Sequence, residues 1–376
     1  MNWTYKYCPE VGQNFDWEAI TAAYTWVQKL KNTPQDPIYH AEGDVYIHTR
    51  MVLEELIGLK EWQELGETER SILFLAALMH DIAKPICTVE EENGRISSPH
   101  HAVRGAKLAR NLIFREKLGN IPFKIREQVV DLVRYHGLPL WIMEKQEPEK
   151  GVIKVSQTLN LRHLALLAEA DVKGRICEDQ EDMLERIEFF RELAKEQKCY
   201  ETPFVFETDL AQFAYFSTQN SSPLYIPFDN LTFEVILLAG LPGSGKNTWI
   251  TDNAHDLPQV CMDDIRRELK ISPKANQGRV IQESQERAKI LLRKKQSFIW
   301  NATNLTKQRR QKLVNLFTTY KARVKIVYIE TPYSTLLQRN KSRQHPIPPR
   351  VLERFTHSLE VPKPDEAHQL IYYLSH

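Results

Sequence analysis

The stretch "LAGLPGSGKNTW", Leu238 to Trp249, decides the reading of the C-terminal half. Gly240, Gly245 and Lys246 stand at the spacing of a phosphate-binding loop: glycine, four residues, Gly-Lys, then a hydroxyl that holds magnesium. Asn247 occupies the place of that hydroxyl. The apolar run "FEVILLA" before the loop reads as a buried strand, and "NTWITDN" after it as a helix, the context such a loop requires. Backbone N–H groups of Gly243, Ser244 and Gly245 would then face a β-phosphate at the helix N-terminus, with Lys246 bridging β- and γ-phosphates. The amide oxygen of Asn247 can meet magnesium directly or through water, whereas Thr248, one residue further round, points elsewhere. Gly243, Ser244, Gly245, Lys246, Asn247 and Thr248 are therefore the expected nucleotide-binding set; loss of the site is the alternative that Asn247 raises.

Outward from the loop, "PQVCMDD", "SFIWNAT", "RVKIVYIE" and "HQLIYYL" are further β-rich runs separated by charged helical stretches. Strands alternating with helices predict an α/β domain with a parallel sheet. Before about residue 200 the period changes. "RSILFLAALMHDIA", "IREQVVDLVRYHG" and "LRHLALLAEADVKG" carry apolar residues at three- and four-residue spacing, which predicts an all-α domain. The text between, around "TQNSSP", is rich in turn formers. The expected organisation is multidomain: residues 1–200 helical, 201–231 a connector, 232–376 α/β.

Charge divides along the same line. Residues 232–376 hold 24 Lys+Arg against 13 Asp+Glu, or +11, within a chain of net charge +1, so the remainder carries −10. A basic half suggests a polyanionic partner. Seven of the twelve histidines lie before residue 164. An apolar content of 42% with 26% charge fits a soluble globular protein. No apolar run approaches about 20 residues, and no charged-then-apolar leader opens the chain, so the expectation is a cytoplasmic protein without a membrane partner. The five scattered cysteines form no CxxC pair, which argues for reduced thiols.

In the helical half, five predicted helices each deliver a His or Asp near one terminus: His48, the adjacent pair His80 and Asp81, His101, His136 and Asp171. Nitrogen and carboxylate ligands of this kind suit one or two divalent transition-metal ions. "GDVYIHT", "LMHDIAKP", "HHAVRGA", "LVRYHGLP" and "LAEADVKGR" together resemble the HD phosphohydrolase superfamily over most of residues 40–176. The resemblance implies His48, His80, Asp81 and Asp171 as ligands of one metal, with His101 and His136 completing a two-metal site. Of the neighbours His100 and His101, which point about 100° apart on a helix, the family spacing to Gly105 selects His101. His163 reads as a packed or partly exposed histidine and His40 as loop. Lys84 either holds a substrate phosphate or caps a helix end; Arg104 and Arg175 are weaker candidates of the same kind.

In the basic half, "CMDDIRREL" places Asp263 and Asp264 at a strand's carboxyl end beside the loop, where an Asp can take the proton of an attacking hydroxyl. Arg266 is placed to bind a phosphate next to that hydroxyl. "LLQRNKSR" spaces Arg339 and Arg343 four apart, as a cationic lid on one helical face. Loop, Asp-Asp-x-x-Arg and Arg-x-x-x-Arg in this order resemble the polynucleotide 5′-hydroxyl kinase module of phage end-healing enzymes, over nearly all of residues 233–365. The resemblance implies Asp263 as general base, Arg266 on the acceptor's 3′-phosphate, and Lys246, Arg339 and Arg343 on the transferring phosphoryl group. "WNATNLT" departs from it by carrying Asn301 where Asp is usual.

The two halves in this order resemble the bacterial HD–polynucleotide kinase family of RNA end-healing enzymes. That implies a metal-dependent 2′,3′-phosphoesterase ahead of a kinase that moves the γ-phosphate of ATP or another NTP, with Mg²⁺, to a 5′-hydroxyl RNA end, readying it for a downstream RNA ligase. An HD nucleotidase fused to a nucleoside or small-metabolite kinase stays open, as does a non-catalytic NTP-sensing, RNA-binding regulator.

Overall fold

The fold comes from a computed structural model that describes residues 2–116, 118–343 and 346–375. The chain divides into two compact units, Met1–Phe204 and Val205–His376.

The first unit is helical. Its principal helices are α1 (Val45–Gly58), α2 (Glu67–Met79), α3 (His101–Phe114), α4 (Phe123–Tyr135), α5 (Leu161–Lys173) and α6 (Gln180–Glu196). α2 is apolar almost all round, with every residue from Ser71 to Met79 buried, so it forms the centre of the unit. Helix ends are set locally. Asp44 caps α1 through its Oδ1 and the Ile47 N–H (2.9 Å), an interaction worth about 1 kcal/mol that places His48 in the first turn. Asn160 caps α5 in the same way through the Arg162 N–H. Gly174 closes α5 against α1: a Cβ there would lie 2.8 Å from the Val52 backbone nitrogen, so only glycine admits this approach. A short antiparallel pair, Val89–Ser97 and Glu90–Ile96, is the strand content among the described residues of this unit.

The second unit opens with α7 (Asp209–Ser217), inside the segment expected as a connector. Thr208 caps it through the Ala211 N–H, and Asp209 accepts a hydrogen bond from Gln369 (2.8 Å). Then follow β1 (Glu234–Ala239), α8 (Lys246–Asn253), β2 (Gln259–Cys261), α9 (Met262–Glu268), α10 (Gly278–Arg293), β3 (Phe298–Asn301), α11 (Lys307–Thr319), β4 (Arg323–Glu330), α12 (Tyr333–Lys341), α13 (Pro349–His357) and β5 (Gln369–Leu374). The five strands form one parallel sheet in the order β2-β3-β1-β4-β5. The connection leaving β1 runs to one side and the one leaving β3 returns past it. The carboxyl end of β1 is thus the topological switch point, where such sheets bind ligands. A buried bidentate pair, Arg310 with Glu366 (2.7 and 3.0 Å), ties α11 to the segment entering β5.

Candidate active sites

Four imidazoles of the helical unit are oriented alike. Nδ1 of His80 donates to the Ala77 carbonyl (2.6 Å), that of His101 to Ser98 (2.8 Å), and that of His136 to Val133 (2.9 Å). His48 shares its Nδ1–H between the Gly174 carbonyl (3.2 Å) and Glu42 Oε1 (3.0 Å). A carbonyl can only accept, so Nδ1 carries a proton in each ring and Nε2 is the atom turned toward a common centre.

There the rings meet two carboxylates. His48 Nε2 lies 3.1 Å from Asp171 Oδ1, His80 Nε2 3.2 Å from Asp81 Oδ2, and His101 Nε2 3.5 Å from Asp81 Oδ1. Ligand atoms of His48, His80 and Asp171 fall within 4.8 Å of one another, as do those of Asp81, His101 and His136. The structure thus brings together all six residues expected as ligands, in two adjoining triads.

The cluster fits divalent cations on two further counts. His80 Nε2 and Asp81 Oδ1 are buried without a hydrogen-bond partner among the described residues, a costly arrangement unless an ion meets them. His101 and His136 face each other Nε2 to Nε2 at 3.3 Å. Burial lowers the pKa of both rings, His136 to about 3, so two lone pairs confront each other at neutral pH unless a cation stands beside them. Burial would raise the carboxyls, but Lys84 and His80 hold Asp81 well below its ordinary range, and Arg175 and His48 do the same for Asp171.

Lys84 takes part in the site: its Nζ lies 2.8 Å from Asp81 Oδ2 and donates to Gln35 Oε1 (2.7 Å). Arg175 grips Asp171 through Nη2 (2.7 Å). Arg104 instead donates to the Ile86 carbonyl on the surface, and His100 is exposed with a positive φ. His163 is buried beside Glu69. Two residues gain importance from the structure alone. Glu42 accepts from both His48 and His40 (2.7 Å), making a carboxylate–histidine support that orients His48. Burial opposes ionisation of Glu42, yet those two hydrogen bonds hold its carboxyl below the usual range. His40 packs edge-on against His48 (4.8 Å between centroids), although its loop position marks it only as polar. The triads open into a cavity of about 530 Å³.

In the second unit, Gly240, Gly243 and Gly245 all adopt positive φ. Gly240 is obligatory, because a Cβ there would come within 2.3 Å of the Ile329 carbonyl oxygen. The loop so formed leads into α8 at the carboxyl end of β1. Ser244 is buried, and its Oγ finds no partner among the described residues. Lys246 donates to the carbonyls of Gly240 (3.0 Å) and Leu241 (2.8 Å). Arg339 donates to the Gly243 carbonyl (3.4 Å), which sets it over the loop. Arg266 pairs with Asp263 one helical turn away and with Gln277 (2.8 Å). Asp264 pairs with Arg267.

The two asparagine departures are one feature: Asn301 Nδ2 donates to Asn247 Oδ1 (3.0 Å). β3 lies beside β1 in the register Leu237 to Trp300, which carries Asn301 to the loop. Thr248 is exposed on α8. Arg343 departs from the expected shared helical face. α12 ends at Lys341, with Ser342 as its C-cap, so Arg343 lies in the turn beyond. The proline-rich text from Pro346 to Pro349 cannot extend a helix that far. Arg343 still acts on Lys246, whose pKa falls to about 8; burial is the main cause, Asp263 opposes it and Arg343 reinforces it.

A bound polyphosphate raises the Lys246 pKa again, so the complex holds more protons than the free loop. Nucleotide affinity is then full below pH 8 and falls as pH rises through it, by up to about tenfold per unit. Titration of a fluorescent ATP analogue between pH 7 and 9 checks this, and Lys246→Met should flatten the profile.

Residues 45–162 match the family model of the HD domain, and residues 235–362 that of a AAA domain. The protein therefore joins a helical HD domain to a P-loop domain with a five-stranded parallel sheet. The HD match stops before Asp171, which only the packing of α5 adds to the cluster. Among curated proteins the chain is similar to a multifunctional CCA protein of Thioalkalivibrio sulfidiphilus, 29% identical over 168 residues, covering 43% of this chain and 37% of that one. It is also similar to the multifunctional CCA protein of Pasteurella multocida, 25% identical over 178 residues, covering 45% and 39%. The match thus spans well under half of each relative. Among solved structures are a candidate kinase from Chloroflexus aurantiacus (18% identity, 39% of this chain and 87% of that one, TM-score 0.33) and a sugar kinase from Janibacter (19%, 38% and 86%, TM-score 0.31). No helix among the described residues is long and apolar enough to cross a membrane.

Proposed function

We propose that the chain is a bifunctional RNA end-healing enzyme of the HD–polynucleotide kinase kind. The observation that carries this reading is the acceptor side of the phosphate loop. Asp263 acts electrostatically on Lys246 and is paired with Arg266, so a base for a hydroxyl and a cation for a neighbouring phosphate stand together beside the donor site. A 5′-hydroxyl followed by a 3′-phosphate is the acceptor with both features. The basic charge of this half, +11 over residues 232–376, suits a polynucleotide strand.

Lys246, the loop N–H groups and Arg339 hold the donor phosphates, Asp263 receives the hydroxyl proton, and Arg343 adds positive charge at the lid. Asn247, held by Asn301, would be the side chain offered to Mg²⁺ in place of the usual hydroxyl. In the HD domain, His48, His80, Asp81 and Asp171 would hold one divalent ion, and His101 and His136 would complete a two-metal site. When bound, such ions lower the pKa of a water and neutralise charge on a phosphoester. Lys84, released in part from Asp81, would meet a substrate phosphate. The reaction assigned to this site is opening of 2′,3′-cyclic phosphate and removal of 2′-phosphate ends, leaving termini fit for a ligase.

The test offers full-length protein an RNA with a 5′-hydroxyl and a 2′,3′-cyclic phosphate, with ATP, Mg²⁺ and a transition metal. Both ends should change, and nucleoside 3′-phosphates should be phosphorylated while free nucleosides are not. Phosphorylation of free nucleosides or sugars alone would mean a small-metabolite kinase; nucleotide binding without transfer would mean a regulator.

A further inference from the structure

The cavity above the HD triads is lined by two aromatic side chains, Tyr39 and Trp141, each covered by an arginine that lines the same cavity. The Arg186 guanidinium stands 5.1 Å from the Trp141 ring centroid, and that of Arg95 5.5 Å from Tyr39. Both arginines are anchored. Arg186 donates to Glu144 (3.0 Å) and to the Leu140 carbonyl (3.3 Å), and Arg95 Nε lies 3.6 Å from Asp36. Trp141 is nevertheless 51% exposed, whereas Trp17 and Trp62 of the same unit are buried. The indole thus stands half open on the cavity that Asp81, His101, His136 and Asp171 also line. Aromatic and guanidinium planes are the surfaces on which unpaired nucleobases stack. The volume of about 530 Å³ lies within the range of pockets that hold small organic ligands, about 300–1,000 Å³.

We propose that Trp141, with Arg186 behind it, is a nucleobase platform of the HD cavity, so that this site selects phosphoesters carrying a base over base-free ones. The inference rests on the phosphoesterase reading and adds the recognition of the base. Tyr39 and Arg95 form a second flank of the same cavity. The ester is thereby placed at the triads by its base as well as by its phosphate, and a base-free ester keeps only the phosphate contacts.

The experiment measures binding in metal-loaded, full-length protein carrying Lys246→Ala, so that the phosphate loop contributes nothing. The probes are adenosine 2′-monophosphate and base-free ribose 2-phosphate. A stacked base is worth about 1–3 kcal/mol, or roughly 5- to 150-fold in affinity. The nucleotide should bind at least fivefold more tightly than the sugar phosphate. Trp141→Ala should remove that advantage while changing the sugar phosphate less than twofold, and Trp141→Phe should restore most of it. Equal binding of the two probes, no binding of either, or equal weakening of both by Trp141→Ala overturns the platform. Hydrolysis of a nucleoside 2′,3′-cyclic phosphate is followed separately. Base-selective binding without hydrolysis keeps the platform and sinks only the assigned reaction.

Discussion

Asp81→Asn should strip the HD domain of metal and abolish its hydrolysis while leaving 5′ phosphorylation unchanged. Asp81 belongs to one triad and adjoins the other: Oδ1 lies 3.5 Å from His101 Nε2, and Oδ2 lies 3.2 Å from His80 Nε2. Asparagine keeps the volume but removes the charge that two cations would need; with its oxygen turned to the Lys84 ammonium, its N–H₂ group faces His101 Nε2 in place of a ligand oxygen. Loss of an outer partner of a metal ligand already costs about 10- to 100-fold in affinity, so loss of a carboxylate at the centre should exceed about 100-fold. Elemental analysis after dialysis reads the metal, and release of the 2′,3′-cyclic phosphate reads turnover. Asp81→Ala is the poorer probe. Lys84 is 8% exposed, and alanine would take away its acceptor oxygen as well as the counter-charge and leave a void, a loss of roughly 3–5 kcal/mol that confuses stability with chemistry. Full metal content and turnover in Asp81→Asn would show that the triads are structural.

Asp263→Asn should lower phosphoryl transfer to a 5′-hydroxyl by about 10²- to 10⁴-fold, the usual cost of losing a general base. Nucleotide affinity should change little at pH 7. Asp263 raises the Lys246 pKa, but burial is the larger influence and the lysine stays mainly protonated well below pH 8. Its side chain is 77% exposed, so its removal leaves no buried vacancy. The amide still accepts from Arg266, which keeps the phosphate-binding cation in place. Single-turnover transfer and equilibrium binding of ATP separate the two effects. If transfer persists at the wild-type rate, Asp263 serves only to position Arg266.

Much of both sites is legible in local sequence, for definable reasons. A phosphate loop is a local backbone shape, and Gly240, Gly243 and Gly245 announce it because positive φ and the contact with Ile329 exclude side chains. The ligand order His48, His80–Asp81, His101, His136, Asp171 is visible because each stands at a helix end, where the apolar period breaks. Glu42 carries no such signal: it sits in a loop and matters only because its carboxylate reaches His48 and His40. Arg343 shows the converse error. A four-residue spacing implies a shared face only while the helix lasts, and α12 ends at Lys341.

What sequence alone determined is the alternation of strand and helix after residue 232, the helical half before it, the phosphate loop and the candidate ligands. These follow from steric preferences and periodicities that act over a few residues. Tertiary structure decided which distant residues meet. Asn247 and Asn301, 54 positions apart, read separately as two flaws; the parallel register of β1 and β3 makes them one hydrogen-bonded pair. The approach of α5 to α1, permitted by Gly174, seals Asp171 to His48 across 123 positions. Trp141 and Arg186 join the HD cavity only through the turn after α4 and the packing of α6. Such contacts depend on strand order and helix packing, to which no spacing in the one-dimensional text corresponds.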